Sequence, residues 1–328
     1  MKERAAFINV SQENKLSVAY DAPTRERLSA ALDFLPGVLL EEELPARKEE
    51  LREVAYLFST WGMPSLSEEE LAQYLPKLKV VFYGAGATDS FVRPLLARGV
   101  KVLSAWQANA IPVAEFCVAQ ILLSLKGYFR NSREIHRTGD WQSGKPCIGP
   151  GVYGETVALI GAGAISTKVK ELLKAFQVNV VVVPSRPERR TVSLEEVFKT
   201  ALVISNHLPN RDDNIGVLHR GLFASMRPGA TFINTGRGAQ VDEAGLVEVL
   251  ESRPDLTALL DVTHPEPPEA GSKLYTLPNI RLSSHIAGSV NDEVHRMADY
   301  MIEELERYLA GEPLRYEVNE SMLLTSKK

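Results

Sequence analysis

Cysteine is nearly missing from this chain: Cys117 and Cys147 are the only two among 328 residues. Two are too few for a disulfide framework and show no metal-type spacing, so a reducing compartment suits them. No charge of one sign dominates either. The formal net charge is −5, so nothing drives binding to a phosphate backbone, and no nucleic-acid partner is expected. Long hydrophobic runs are absent. The longest apolar-leaning stretch, "VAEFCVAQILLSL" (113–125), contains Glu115 and is too short to span a bilayer. The opening "MKERAAF" lacks the apolar core of a signal peptide. A cytoplasmic protein with no membrane partner is the expectation. His136, His207, His219 and His295 show no metal spacing with a carboxylate or cysteine, so no metal is expected.

With no low-complexity tract and no solenoid repeat, what remains is a globular composition, 45% hydrophobic and 24% charged, long enough for two domains. Apolar β-type runs alternate with stretches of helical period, the sequence pattern of parallel βα architecture. The first series is "AAFINV" (5–10), "VAYLFST" (54–60), "KVVFYG" (79–84) and "KVLSA" (101–105). "LSEEELAQYL" (66–75) reads as a helix with Ser67 and Glu70 spaced as a capping box. A longer helix is expected from about Pro112 to Tyr128, with Pro112 in its first turn. A second series follows: "TVALI" (156–160), "NVVVV" (179–183), "ALVIS" (201–205), "ATFINT" (230–235), "TALLD" (257–261) and "IRLS" (280–283). "VNDEVHRMADYMIEELERYL" (290–309) closes the chain as an amphipathic helix.

"VALIGAGAIS" (157–166) is nearly the glycine fingerprint of a dinucleotide-binding βαβ unit. Gly161 would permit the tight turn and Gly163 the close approach of backbone to a pyrophosphate. Ala164 and Ile165 would begin the helix whose free N–H groups receive that anion. Ser166 stands where the third glycine belongs. It touches only helix-to-strand packing, where a slight separation admits a small side chain. The fingerprint alone does not separate an oxidoreductase from a methyltransferase.

Further along, several motifs occur in order: "NAIPVAE" (109–115), "HLP" (207–209), "INTGRG" (233–238), "VDE" (241–243), "LDV" (260–262), "PEP" (265–267) and "SHIAG" (284–288). Over nearly its whole length the chain resembles the D-isomer-specific 2-hydroxyacid dehydrogenase family. That resemblance implies a catalytic trio of Arg237, Glu266 and His285. The residue types suit a 2-keto acid. Arginine's planar fork pairs with a carboxylate through two hydrogen bonds, and an imidazolium can protonate the carbonyl oxygen as hydride arrives. A carboxylate on the other ring nitrogen fixes the tautomer and favours the charged ring. His264 lacks the following "IAG" context and reads as a loop residue. The resemblance also assigns His207, Pro209, Thr235 and Gly236 to the cofactor, and Asp261 to the nicotinamide carboxamide. It gives Ala85 and Gly86 of "FYGAGATD" (82–89), with Trp61 and Arg237, to the substrate.

The acid that an NAD site usually carries after its second strand is missing. Pro184 takes its place and Ser185 and Arg186 follow, which suits a 2′-phosphate, so NADP is favoured over NAD. The expected fold is α/β with two doubly wound parallel-sheet domains. By resemblance, 105–287 forms a Rossmann-type cofactor domain, and 1–104 with 288–328 a flavodoxin-like substrate domain. The expected activity is hydride transfer between NAD(P)H and a small 2-keto or D-2-hydroxy acid, of the glyoxylate or hydroxypyruvate type, by a homodimer built on the "NAIPVAE" helix. Two alternatives stay open: a non-catalytic dinucleotide-binding sensor of the same fold, and a phosphite- or formate-type dehydrogenase. Formate-type relatives carry glutamine where Glu266 stands, which disfavours that branch.

Overall fold

The computed structural model describes residues 2–11, 15–142 and 148–323; Cys147 lies outside them. The chain divides into two compact units, one running through Asn109 and resuming at Ser289, the other spanning Ala110–Gly288.

The first unit holds β1 (Arg4–Asn9), β2 (Asp33–Leu40), β3 (Val54–Ser59), β4 (Val80–Tyr83) and β5 (Lys101–Ser104) in the spatial order β2-β1-β3-β4-β5. All neighbours are parallel. Every residue of β3 and β4 is buried, because a parallel sheet covered by its crossover helices leaves no wet face. Phe7, Phe34, Phe58 and Phe82 meet across β1 to β4, the last two stacked at 4.8 Å. β2 is absent from the sequence reading, since "DFLPGVLL" carries Pro36 and Gly37. The strand tolerates them by lying at the sheet edge, where its pairing with β1 slips by extra residues between Ala5 and Phe7.

The second unit holds β6 (Thr156–Ile160), β7 (Asn179–Val183), β8 (Val203–Asn206), β9 (Thr231–Asn234), β10 (Thr257–Leu260) and β11 (Ile280–Leu282). Their order is β11-β10-β9-β8-β6-β7, again all parallel. The order reverses between β6 and β8, the switch point where open α/β sheets receive ligands.

Local signals hold at several helix ends. The helix Glu68–Tyr74 starts with Ser67 Oγ accepting from Glu70 N and Glu70 Oε2 accepting from Ser67 N. The helix expected from Pro112 instead runs Trp106–Leu125 and carries Pro112 inside it. One missing N–H bond in the second turn is offset by burial of Ala108, Ala110 and Val113 around it. By length and composition alone this is the one helix among the described residues that could cross a bilayer, yet half of its apolar window is buried in the protein.

The closing helix, His295–Ala310, buries Met297, Ala298, Met301, Ile302 and Leu305 in the first unit's core. Its Glu304 is fully buried and accepts from the backbone N–H groups of Arg315 (2.9 Å) and Tyr316 (3.1 Å). These bonds turn the chain back so that Ser104 N donates to Tyr316 O and Val318 N to Val102 O, an added antiparallel rung on β5. Glu304→Ala would strand two partly buried donors at a cost of about 2 kcal/mol, and Glu304→Gln, which keeps an acceptor, should lose less. Urea unfolding of both variants measures this; an alanine variant as stable as wild type would contradict the clasp.

Candidate active site

The loops that leave the carboxyl ends of β6 to β11 carry most of the residues singled out in the sequence. After β6, Gly161 adopts φ 112°, and a Cβ there would lie 2.4 Å from the His207 carbonyl oxygen. Only glycine fits that turn. Gly163 caps the helix Ala164–Leu173 with no side-chain hydrogen bond, leaving the first-turn N–H groups uncapped. A Cβ on Gly163 would meet nothing within 4 Å. The protein itself therefore does not require glycine here. Ala164 and Ile165 form the half-buried first turn, and Ser166 is buried against the sheet with its hydroxyl unpaired among the described residues.

β8 and β9 end on a paired register of asparagines, Asn206 opposite Asn234. Asn206 Nδ2 donates to Asn234 Oδ1 (2.9 Å) and to Gln240 Oε1 (2.7 Å). Gln240 Nε2 donates to the carbonyls of Leu208 and Pro209, both at 2.9 Å, and its Oε1 accepts from Arg237 N. Asn206 Oδ1 takes Leu208 N; Asn234 Oδ1 takes Gly236 N, and Asn234 Nδ2 donates to Arg237 O. All three side chains are buried and their polar atoms paired, as a low-dielectric site demands. The "HLP" and "TGRG" loops are thereby tied to each other. Gly236 belongs to the same packing, since a Cβ would press on Asn206 and Gln240 at 2.9 Å. Arg237 is half-buried and donates through Nη1 to Gly236 O, which leaves most of its five donors available.

Gly238 lies against the Thr263–His264 peptide, where a Cβ would fall 2.0 Å from backbone atoms. That contact sets the loop leading to Glu266, in which Pro265 and Pro267 both follow cis bonds. Glu266 Oε1 sits 2.6 Å from His285 Nδ1, with both side chains open to solvent on their other sides. His285 has φ 57°, unusual for a residue with a side chain. Asp261 supports it: Oδ1 accepts from Ser283 Oγ (2.6 Å) and Ile286 N (2.9 Å), Oδ2 from Ala287 N (3.0 Å), and Asp261 O from His285 N. The buried Asp261 carboxylate is thus engaged by the loop that presents His285. His264 is exposed, with its backbone N–H donating to Glu243.

His207 turns inward. Its Nε2 lies 2.9 Å from Ser205 Oγ, its Nδ1 3.5 Å from Thr235 Oγ1, and Thr235 Oγ1 lies 3.3 Å from Cys117 Sγ. Burial lowers the imidazole to about 4 and raises the thiol to about 11. Both are neutral near pH 7, and no metal-binding group of acids, histidines and cysteines occurs among the described residues. After β7, Ser185 and Arg186 are half-buried, and Arg190 is drawn back onto the carbonyls of Pro184 and Ser185. The Arg186 side chain makes no hydrogen bond or ion pair among the described residues.

In the first unit, Trp61 is 40% exposed, with Lys15 Nζ 4.8 Å from its ring centroid. Ser104 Oγ donates to the carbonyls of Ala85 and Gly86, which fixes that turn and leaves both N–H groups without an acceptor among the described residues.

Residues 118–287 match the sequence model of the D-isomer specific 2-hydroxyacid dehydrogenase NAD binding domain, more than half of the chain. The chain belongs to the D-isomer-specific 2-hydroxyacid dehydrogenase family. Hydroxypyruvate reductase of Thermotoga maritima is 30% identical over 233 residues, 69% of this chain and 76% of that one. D-3-phosphoglycerate dehydrogenase of Archaeoglobus fulgidus is 28% identical over 88% of this chain, which spans only 57% of that relative's length. In fold, the chain is similar to D-2-hydroxyisocaproate dehydrogenase, at TM-score 0.74 and 22% identity, covering 96% of this chain and 99% of the other.

Within this family member, the amide set Asn206, Asn234 and Gln240 and the loop holder Ser283 escaped the sequence reading. One signal was present: "VISN" and "TFIN" both end an apolar run on asparagine immediately before a motif. The buried His207 generates a pH dependence. Its folded pKa lies below the ordinary 6.5, so the unfolded chain takes up a proton that the folded one refuses, and stability falls as pH drops from about 6.5 toward 4. Wild type should lose about 2 kcal/mol between pH 7 and pH 5 from this group, and His207→Asn should remove that part of the slope. Urea titrations at both pH values measure it; parallel slopes would contradict a neutral, buried His207.

Proposed function

We propose that this chain transfers a hydride between a nicotinamide cofactor and a small 2-keto or D-2-hydroxy acid, with glyoxylate and hydroxypyruvate as the substrate type. The 2.6 Å contact of His285 Nδ1 with Glu266 Oε1, on a loop gripped by Asp261, carries this reading. Family membership supports the reaction class. The cofactor's chemistry is delivery or acceptance of hydride at the substrate's C2. The uncapped helix after Gly163 and the open space above that glycine suit a pyrophosphate. Thr235, Gly236 and Pro209 lie on the loops next to that turn, and the unpaired Arg186 beside Ser185 suits a 2′-phosphate, so the reading favours NADPH over NADH.

Arg237 holds the substrate carboxylate through its free donors, a geometry lysine cannot copy. As charge builds on the carbonyl oxygen, His285 donates a proton from Nε2, the ring nitrogen that Glu266 leaves open. Glu266, 2.6 Å from Nδ1, fixes the ring's orientation and keeps the proton on that nitrogen. In the reverse direction the same Nε2 accepts the hydroxyl proton. The free N–H groups of Ala85 and Gly86, with Trp61 on a nearby loop of the same unit, are assigned to substrate binding. The protein is taken to act in the cytoplasm as a homodimer.

Assays of glyoxylate, hydroxypyruvate and pyruvate with NADPH and with NADH test the activity. Against the best substrate, His285→Ala should lower kcat by about 10²- to 10⁴-fold with cofactor affinity nearly unchanged. Turnover at the wild-type level would remove His285 from the reaction.

Cofactor choice has its own test. Arg186→Ala should weaken NADPH binding by roughly tenfold or more and leave NADH binding within about twofold, because only the phosphate requires the guanidinium. Fluorescence titration of both nucleotides reads this, and tighter NADH binding by wild type would overturn the preference.

A further inference from the structure

The loop after β8 carries a guanidinium for which the reaction has no use. Arg211 is only 6% exposed, and a buried cation without partners is costly. Its Nε lies 2.6 Å from Asp213 Oδ1, and its Nη2 bonds the other carboxylate oxygen, a two-point fork. Its Nη1 reaches 3.4 Å to Ser185 Oγ, on the turn that follows β7. β7 and β8 flank β6, so the turns after them border the Gly161 turn, where His207 O touches the glycine. Arg211 bonds hold the Asp213 carboxyl below the usual carboxylate range, and Arg186 adds a second positive charge to the same carboxylate. Asp213 itself is 57% exposed.

Two guanidinium groups, one fixed and buried and one otherwise unpaired, therefore face a single exposed carboxylate beside Ser185. A carboxylate and a phosphate both offer two oxygens to an arginine fork. We propose that Arg211 and Arg186 together form the clamp for the cofactor's 2′-phosphate, and that Asp213 is its resident anion, which the phosphate displaces into water. This rests on the NADPH reading above and deepens it: Asp213 becomes the residue that weakens the clamp, and Arg211 its second jaw. Arg211 is buried and stays in place during the exchange. Asp213 leaves readily, because more than half of its side chain already contacts solvent.

The test uses the full chain and two fragments that differ only by that phosphate, adenosine 2′,5′-bisphosphate and 5′-AMP, titrated by calorimetry alongside NADPH and NADH. Asp213→Asn removes the competing charge and should tighten the bisphosphate and NADPH by about threefold or more, with 5′-AMP and NADH within about twofold. Arg211→Gln should weaken the bisphosphate by about tenfold and spare 5′-AMP. Should Arg211→Gln fail to fold, the exposed Asp213→Asn decides alone. Unchanged or weaker bisphosphate binding by Asp213→Asn overturns the proposal, as does weaker 5′-AMP and NADH binding, which would make Asp213 a ribose ligand. A wild type that binds the bisphosphate no better than 5′-AMP removes the NADPH reading and the clamp with it. A wild-type preference that neither variant alters removes the clamp alone.

Discussion

Three buried amides, Asn206, Asn234 and Gln240, hold the site's geometry together. Loops at the end of a parallel sheet have no ladder to join, and their backbone groups need partners once buried. Here the amides supply those partners: Asn206 and Gln240 engage the "HLP" loop, and Asn234 and Gln240 engage the loop of Arg237. Each amide donor meets an acceptor, Asn206 within the set and Asn234 and Gln240 on the loop carbonyls, so the burial of three polar side chains costs little and yields a rigid junction. A single apolar replacement would orphan at least one backbone group: Leu208 N for Asn206, Gly236 N for Asn234, and both Arg237 N and Leu208 O for Gln240.

Charge is arranged on a gradient of burial around that junction. Asp261, fully inside, spends its oxygens on a loop and sets the backbone of His285. Glu266 and His285 remain open to water, where an acid–base pair can exchange protons with a substrate. His207, whose carbonyl lies against Gly161 of the fingerprint, is kept neutral by burial and hydrogen-bonds inside the protein. Burial thus separates the inward His207 from the half-exposed His285.

The glycines divide in the same manner. Gly161 is required by the protein, since a side chain there collides with the β8 loop; Gly238 is required by the Thr263–His264 peptide. Gly163 has room to spare, and its smallness makes sense toward a ligand. The turn after β7 lacks the acid common in NAD sites, and the carboxylate linked to its Ser185 through Arg211, Asp213, arrives from a different loop already held by that arginine.

Much of this was legible in the residues. Apolar runs marked ten of the eleven strands among the described residues, because most of these parallel strands are buried and have no polar face to blur them. Ser67 and Glu70 marked a helix start because capping is a local bargain between neighbours. The order of "GAGAIS", "HLP", "INTGRG", "PEP" and "SHIAG" pointed to the family, since each motif states a local backbone or chemical need. Other features depended on distant chain. β2 exists although it contains Pro36 and Gly37, because an edge position forgives a missing donor. The helix Trp106–Leu125 runs through Pro112 because burial outweighs one lost bond. Asp261 resembles a cofactor acid in its motif and in space also grips the His285 loop; Arg211 belongs to no motif in the sequence and in space lies buried against Asp213. The sequence by itself determined all but one of the strands among the described residues, their order along the chain and the chemical types brought to the sheet's edge. Which polar groups are paired, and which are left free to act, was decided only by the tertiary structure, because burial and hydrogen-bond geometry belong to the space between segments.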